Sequence, residues 1–179
     1  PMPQVPPAAR LGLERDNYAA TALADVLDRS AHATVARFTA GISPTSLMLA
    51  HLDWAIHLAT SPGKQLRLLE SAVQSSVRLS SYAVGCALSQ GCPAPCVAPL
   101  PDDRRFADPA WMAPPFNLID QSFLLTQQWW QAATTGVRGV THQHEQVIAF
   151  LTRQVLDMLA PANFIATNPV VLQRTVSEG

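Results

Sequence analysis

The 179-residue chain carries 12 basic and 13 acidic side chains, a net charge of -1, with 48% hydrophobic and 14% charged residues. Apart from Arg104-Arg105 the cations are scattered singly, which leaves no electrostatic footprint for nucleic acid. No uninterrupted run of about 18 apolar residues argues for a transmembrane helix. A charged fraction this far below the usual quarter or so leaves apolar surface for a partner to cover.

Residues 1–15 hold a run of prolines and no apolar periodicity, and are expected to form a disordered or extended arm. The arm also lacks the basic-then-apolar order of a secretory signal, so a cytoplasmic location is the default. Outside a secreted framework, the odd set Cys86, Cys92 and Cys96 is expected to be reduced.

Residues 16–90 are expected to form a leader of three helices. Tyr18, Leu23, Val26, Leu27, Val35 and Phe38 suit the first, which Gly41 would end by taking a left-handed cap. Ser43-Pro44 then supplies an N-cap and a first helical residue, because proline's missing N–H is not needed there. In this second helix Leu47, Trp54 and Leu58 form one stripe, with Met48, Leu52, Ile56 and Ala59 beside it. A stripe that wide predicts burial on more than one side. Ser61-Pro62 repeats the device for a long helix carrying Leu66, Leu69, Val73, Val77, Val84 and Leu88, with Lys64, Arg67, Glu70, Gln74 and Arg78 facing water. Junctions this short favour antiparallel neighbours.

Residues 91–103 form a Pro/Cys linker that cannot hold a helix, and residues 104–179 a second helical domain. Asp108-Pro109 can start a short turn, and Pro114-Pro115 a helix that carries Phe116, Ile119, Phe123 and Trp130 on one stripe and Leu118, Leu125 and Trp129 on the next. Gly136 to Gly139 breaks the pattern. Thr141 can cap the following helix with Val147, Ile148, Leu151, Val155 and Met158, which Pro161 stops, and Asn168-Pro169 starts a last segment, Val170 to Val176. No alternating strand pair and no internal repeat appears. The fold class is therefore all-α, an irregular helical bundle of about five main helices with Pro-rich connections.

Four sets of residues bear on chemistry. A Gly-x-Ser/Cys-x-Gly nucleophile turn is missing from these 179 residues. The nearest approach, Val84-Gly85-Cys86-Ala87-Leu88, lies inside a predicted helix, where a small structural thiol is the simpler reading. The spacing of Cys86, Cys92 and Cys96 does not match a structural zinc site. His51, Asp53 and His57 suit a helix-surface pair better than acid-base work, and His142 and His144 a solvated first turn. Trp54, Trp111, Trp129 and Trp130 suit core packing, but adjacent Trp129 and Trp130 diverge by about 100° around a helix, so one of them can face a partner. No residue is expected to be catalytic, to bind a cofactor or to ligate a metal. Trp129, Trp130, Phe123 and Phe116 are the candidate interaction surface.

Longer words in the chain carry a resemblance. Asp102-Asp103-Arg104-Arg105-Phe106-Ala107-Asp108-Pro109-Ala110-Trp111, Gln121-Ser122-Phe123-Leu124-Leu125-Thr126-Gln127-Gln128-Trp129-Trp130 and Leu159-Ala160-Pro161-Ala162-Asn163-Phe164-Ile165-Ala166-Thr167-Asn168-Pro169 resemble the N-terminal region of polyhydroxyalkanoate synthases, the poly-β-hydroxybutyrate polymerases. Leu27-Asp28-Arg29-Ser30, His51-Leu52-Asp53-Trp54 and Ser61-Pro62-Gly63-Lys64-Gln65 resemble the leader that precedes that region. The resemblance implies an acyltransferase parent that polymerises 3-hydroxyacyl-CoA into storage polyester. Its catalytic cysteine, aspartate and histidine would belong to a later α/β-hydrolase-type domain absent from this chain, so the chain alone is expected to be inactive. It further implies partners: the catalytic domain of the same synthase, a homodimer, and a polyester granule or granule-surface protein, which would place the chain at the granule surface.

Overall fold

The computed structural model describes residues 7–38, 43–89 and 92–178. Contacts divide the chain into two compact units, Pro1–Met48 and Leu49–Gly179. Among the described residues there are six α-helices and two 3-10 turns and no strand.

The first unit holds helix α1, Pro7–Phe38, and the opening turn of α2, Pro44–Ala59. The arm expected over residues 1–15 is thus helical from Pro7 onward. The physical reason is position: a proline in the first turn removes an N–H that has no partner there, and Ala8, Ala9, Leu11 and Glu14 are good helix formers. Residues 1–6, the Gly41 cap and Gly91 at the head of the linker lie outside the described residues, as do the side chains of Tyr18 and Phe38. Leu23, Val26 and Leu27 are exposed.

In the second unit α3, Pro62–Leu88, and α5, His142–Met158, both pack along α4, Phe116–Thr134. The 3-10 turns at Pro109–Met112 and Pro161–Asn163 also touch α4, and the first of them meets α6, Pro169–Glu178. The core gathers Val97, Phe106, Trp111, Phe123, Leu124 and Leu125 with Ala160. Phe106 sits edge-on to Trp111 at 4.8 Å, an arrangement that aromatic quadrupoles favour. Val97 draws the Pro/Cys linker into this core.

The proline junctions act largely as expected. The Asp108 side chain accepts from Ala110 N at 2.9 Å, and Asn168 Oδ1 from Val170 N at 3.0 Å. Thr141 accepts from His144 N at 3.4 Å. Ser61 departs from the pattern: its hydroxyl donates backward to the His57 carbonyl at 2.6 Å, so Pro62 starts α3 with no side-chain cap.

The connection after α4 turns on two glycines, Gly136 at φ 65° and Gly139 at φ 95°. Gly139 is also a close approach, since a Cβ there would stand 2.1 Å from His57 Cδ2. No other residue type fits both demands.

Candidate functional site

Four groups of chemistry-bearing residues are placed by this frame. The first joins α2 to α5. Asp53 Oδ1 lies 3.0 Å from His57 Nδ1, and its Oδ2 lies 2.6 Å from His144 Nδ1. Thr141 N donates to the same Oδ2 at 3.3 Å. The hydrogen bond from His144 holds the Asp53 carboxyl below the ordinary carboxylate range, helped by Thr141 and by nearby His57. The sequence predicts His144 in a solvated first turn; it is instead half-buried against Asp53, because α2 and α5 meet at residues 91 positions apart. His142 is exposed and meets Gln146. The cluster pins α2 to the start of α5.

Arg105 forms the second group. Its guanidinium grips Asp103 through Nε at 2.8 Å and Nη2 at 2.6 Å, and Nη1 reaches Asp157 at 2.8 Å. The same group lies 5.4 Å from the Phe123 ring centroid. A planar fork can pair with a carboxylate and cover an aromatic face together, which an ammonium cannot.

The third group lies where α3, the linker and α4 meet. The cysteines expected to be reduced are in part oxidised: Cys86 and Cys92 form a disulfide, and Cys96 remains a thiol. Sequence spacing gave no sign of this, because the helix end at Leu88 folds the linker back toward α3. Asn117 Nδ2 points at Cys92 Sγ, 2.9 Å, Cys86 Sγ, 3.4 Å, and Tyr82 Oη, 3.2 Å. One turn later Gln121 Oε1 accepts from Val97 N at 2.8 Å and from the Cys96 thiol at 3.2 Å. Burial pushes the Cys96 thiol above its ordinary range. Asp120, beside Gln121, is pushed up to about 6 by burial.

The fourth is a surface. Leu66, Leu69, Val73, Val77, Val84 and Leu88 are each more than half exposed, Leu88 at 83%. They recur at helical spacing along one side of α3, while Leu68, Leu79 and Tyr82 occupy the opposite side and face the bundle. The α3 stripe that periodicity marks as a core face is therefore bare, because the small and mixed face behind it is the one that fits α4. The broad burial expected for α2 is corrected in the same way. Met48, Leu52 and Ile56 are exposed, while the far face carries Ala50 and Trp54 inward.

The four aromatics singled out from sequence lie elsewhere. Phe123 is 9% exposed within the core, and Phe116 packs against it. Trp129 and Trp130 stack edge-on at 5.2 Å, half-buried, and Trp129 Nε1 donates to the Leu68 carbonyl at 2.9 Å. Trp129 thus ties α4 to α3. A groove of about 430 Å³ opens between α4, α5 and the linker, floored by Val97, Leu124 and Leu156 and rimmed by Gln128 and Arg153. Among the described residues no cluster of three or more His, Cys, Asp or Glu is placed to hold a metal ion, and no helix is long and apolar enough to cross a membrane.

Comparison with known proteins decides the family. Residues 102–179 match the family described as Poly-beta-hydroxybutyrate polymerase (PhaC) N-terminus, and residues 22–64 match the one described as Poly-beta-hydroxybutyrate polymerase N terminal. The chain is 31% identical over 193 residues to a poly(3-hydroxyalkanoate) polymerase of Methylorubrum extorquens, an alignment that takes in 94% of this chain and 32% of that protein.

The chain belongs to the N-terminal region of this polymerase family.

A poly(3-hydroxyalkanoate) polymerase subunit of Rhizobium meliloti is 35% identical over 77 residues, 42% of this chain and 13% of the subunit. One from Rhizobium etli is 30% identical over 117 residues, 63% of this chain and 18% of the subunit. The chain thus spans a third or less of the polymerases it matches. No solved structure matches it. Asp53 and His57 fall in the first matched segment, and Arg105, Asn117, Gln121 and His144 in the second, whereas the α3 stripe from Leu66 to Leu88 and the three cysteines lie between the two.

Proposed function

We propose that this chain is the non-catalytic N-terminal part of a poly(3-hydroxyalkanoate) polymerase, and that it supports the conversion of 3-hydroxyacyl-CoA into polyester by contact. The bare side of α3 carries the contact, and its occupant is the catalytic part of the same polymerase. One observation supports this reading above the rest: six Leu and Val side chains stand exposed in a single stripe from Leu66 to Leu88, opposite the face that packs on α4. At 1.5 Å per residue the stripe is about 33 Å long. Covering a Leu or Val side chain is worth roughly 1.5–3 kcal/mol, against roughly 0–1 kcal/mol for an exposed ion pair, so this stripe outweighs any charged patch on the chain as a docking surface.

Two measurements test it. The purified chain should release no free CoA from 3-hydroxybutyryl-CoA, and steady release would overturn the non-catalytic reading. The chain should co-purify with a separately produced catalytic part. Val73→Glu with Val77→Glu should abolish that association while leaving helix content unchanged, and unimpaired association would refute the α3 surface. Light scattering and sedimentation with polyester granules separate the two other contacts the family resemblance implies, a second copy and the granule.

A further inference from the structure

The cluster around Asn117 leaves a buried acceptor unpaired. Asn117 is 2% exposed, and its amide NH2 meets three acceptors: Tyr82 Oη and both sulfurs of the Cys86–Cys92 bond. Its own oxygen, Oδ1, is buried without a partner, and so is Asp120 Oδ1 three residues on, along the same side of α4. A buried acceptor left unpaired costs about 1–3 kcal/mol, so the arrangement is uneconomical for a purely structural crosslink. A disulfide sulfur can only accept. Two cysteine thiols would add S–H donors beside Asn117 Oδ1, a buried acceptor that lacks one. The terminal torsion of an asparagine is soft, so the amide can turn its oxygen to an S–H without moving α4.

We propose that Cys86 and Cys92 form a reversible dithiol–disulfide site, in which the Asn117 amide serves both states and reduction releases the Cys92–Pro95 segment from α3. The co-reactant is a thiol reductant. Its thiolate attacks one sulfur and forms a mixed disulfide, while the other cysteine leaves as thiolate and takes a proton. A second reductant thiolate then displaces the first cysteine, which is protonated in turn. Two electrons and two protons enter the protein, and the reductant ends as a disulfide. Both cysteines are half-buried rather than enclosed in the core. The reduced state is not collapsed elsewhere: Gln121 keeps its hold on Val97 N and on the Cys96 thiol, so the linker stays anchored one turn further along α4. What loosens is the contact of Pro93 on Gly85, where a Cβ would stand 2.9 Å from Pro93 Cγ.

The test is differential alkylation and mass spectrometry of the native 179-residue chain, equilibrated in buffers of graded reduced-to-oxidised glutathione ratio. Cys86 and Cys92 should pass from bonded to alkylated together, with Cys96 unbonded throughout and helical circular dichroism retained. Asn117→Leu should shift the midpoint toward more reducing buffers by roughly fivefold, the equivalent of one net hydrogen bond. If that variant fails to fold, Cys96→Ser in its place must leave the wild-type midpoint unmoved. The proposal is overturned if the bond resists reduction until the chain unfolds, if Cys86 and Cys92 never pair in oxidised buffer, or if a folded Asn117→Leu titrates like the wild type.

Discussion

The indole nitrogen of Trp54 donates to the main-chain carbonyl of Ala133 at 2.9 Å, across 79 residues of sequence. Ala133 lies in the last turn of α4, where carbonyls run out of helical partners. Beside it the Lys64 ammonium donates to the Thr135 carbonyl at 2.8 Å. A hydrogen-bonding indole and a cation thus close the negative end of α4, one from α2 and one from α3. Trp54→Phe keeps a ring but removes the donor. It should lower stability by about 1–2 kcal/mol, the usual cost of leaving a buried acceptor unpaired. The midpoint of urea unfolding measures this, and an unchanged midpoint would show the bond to be incidental.

Asp53 sets the acid limit of the α2–α5 joint. Its folded pKa is depressed by the His144 hydrogen bond, so its contribution is fully present above the unfolded value, about 4, and is lost as pH falls through the folded value. Asp53→Asn should therefore be less stable than the wild type at pH 6, with the gap closing toward pH 3. Thermal midpoints across that range decide it; a gap constant with pH would mean that the charge plays no part.

Asp120 has the opposite sign. Its folded value is raised to about 6 by burial, so its contribution is complete below about 4, where the carboxyl is protonated in both states, and is lost as pH rises through 6. Asp120→Asn is expected to match the wild type at pH 4 and to melt at a higher temperature at pH 8. Equal melting at pH 8 would contradict the buried position of the carboxyl.

Gly139 carries two constraints that mutation can separate. Gly139→Ala meets the His57 ring and also forces an alanine to φ 95°, a conformation that alone costs about 1–3 kcal/mol. Adding His57→Ala should recover the steric part and leave the backbone part. A double mutant as unstable as the sum of the singles would remove His57 as the obstacle.

Much of the fold was legible because local chemistry set it. Ser43-Pro44, Asp108-Pro109, Thr141 and Asn168-Pro169 start helices where they stand, since a proline or a short polar side chain acts on its own first turn. Pro7 uses the same rule, yet it was masked by the prolines around it. What sequence could not decide is which apolar face of α3 is covered. Periodicity reports the stripe of Leu66 to Leu88 and is silent on its neighbour, whereas the packed face of Leu68, Ser75, Leu79 and Tyr82 is too mixed to stand out. The Asp53–His144 pair and the burial of Phe123 depend in the same way on contacts far apart in sequence, and the Cys86–Cys92 bond, though its ends are only 6 residues apart, depends on how the chain turns after α3.

The position of α4 has a consequence for how the molecule opens. Because α3, α5 and both 3-10 turns rest on it, its middle turn cannot be exposed without dismantling everything around it. The amide hydrogens of Leu124 and Leu125 should exchange with deuterium only through whole-unit unfolding. Those of α6, with Val176 exposed at 85%, should exchange by fraying within the native state.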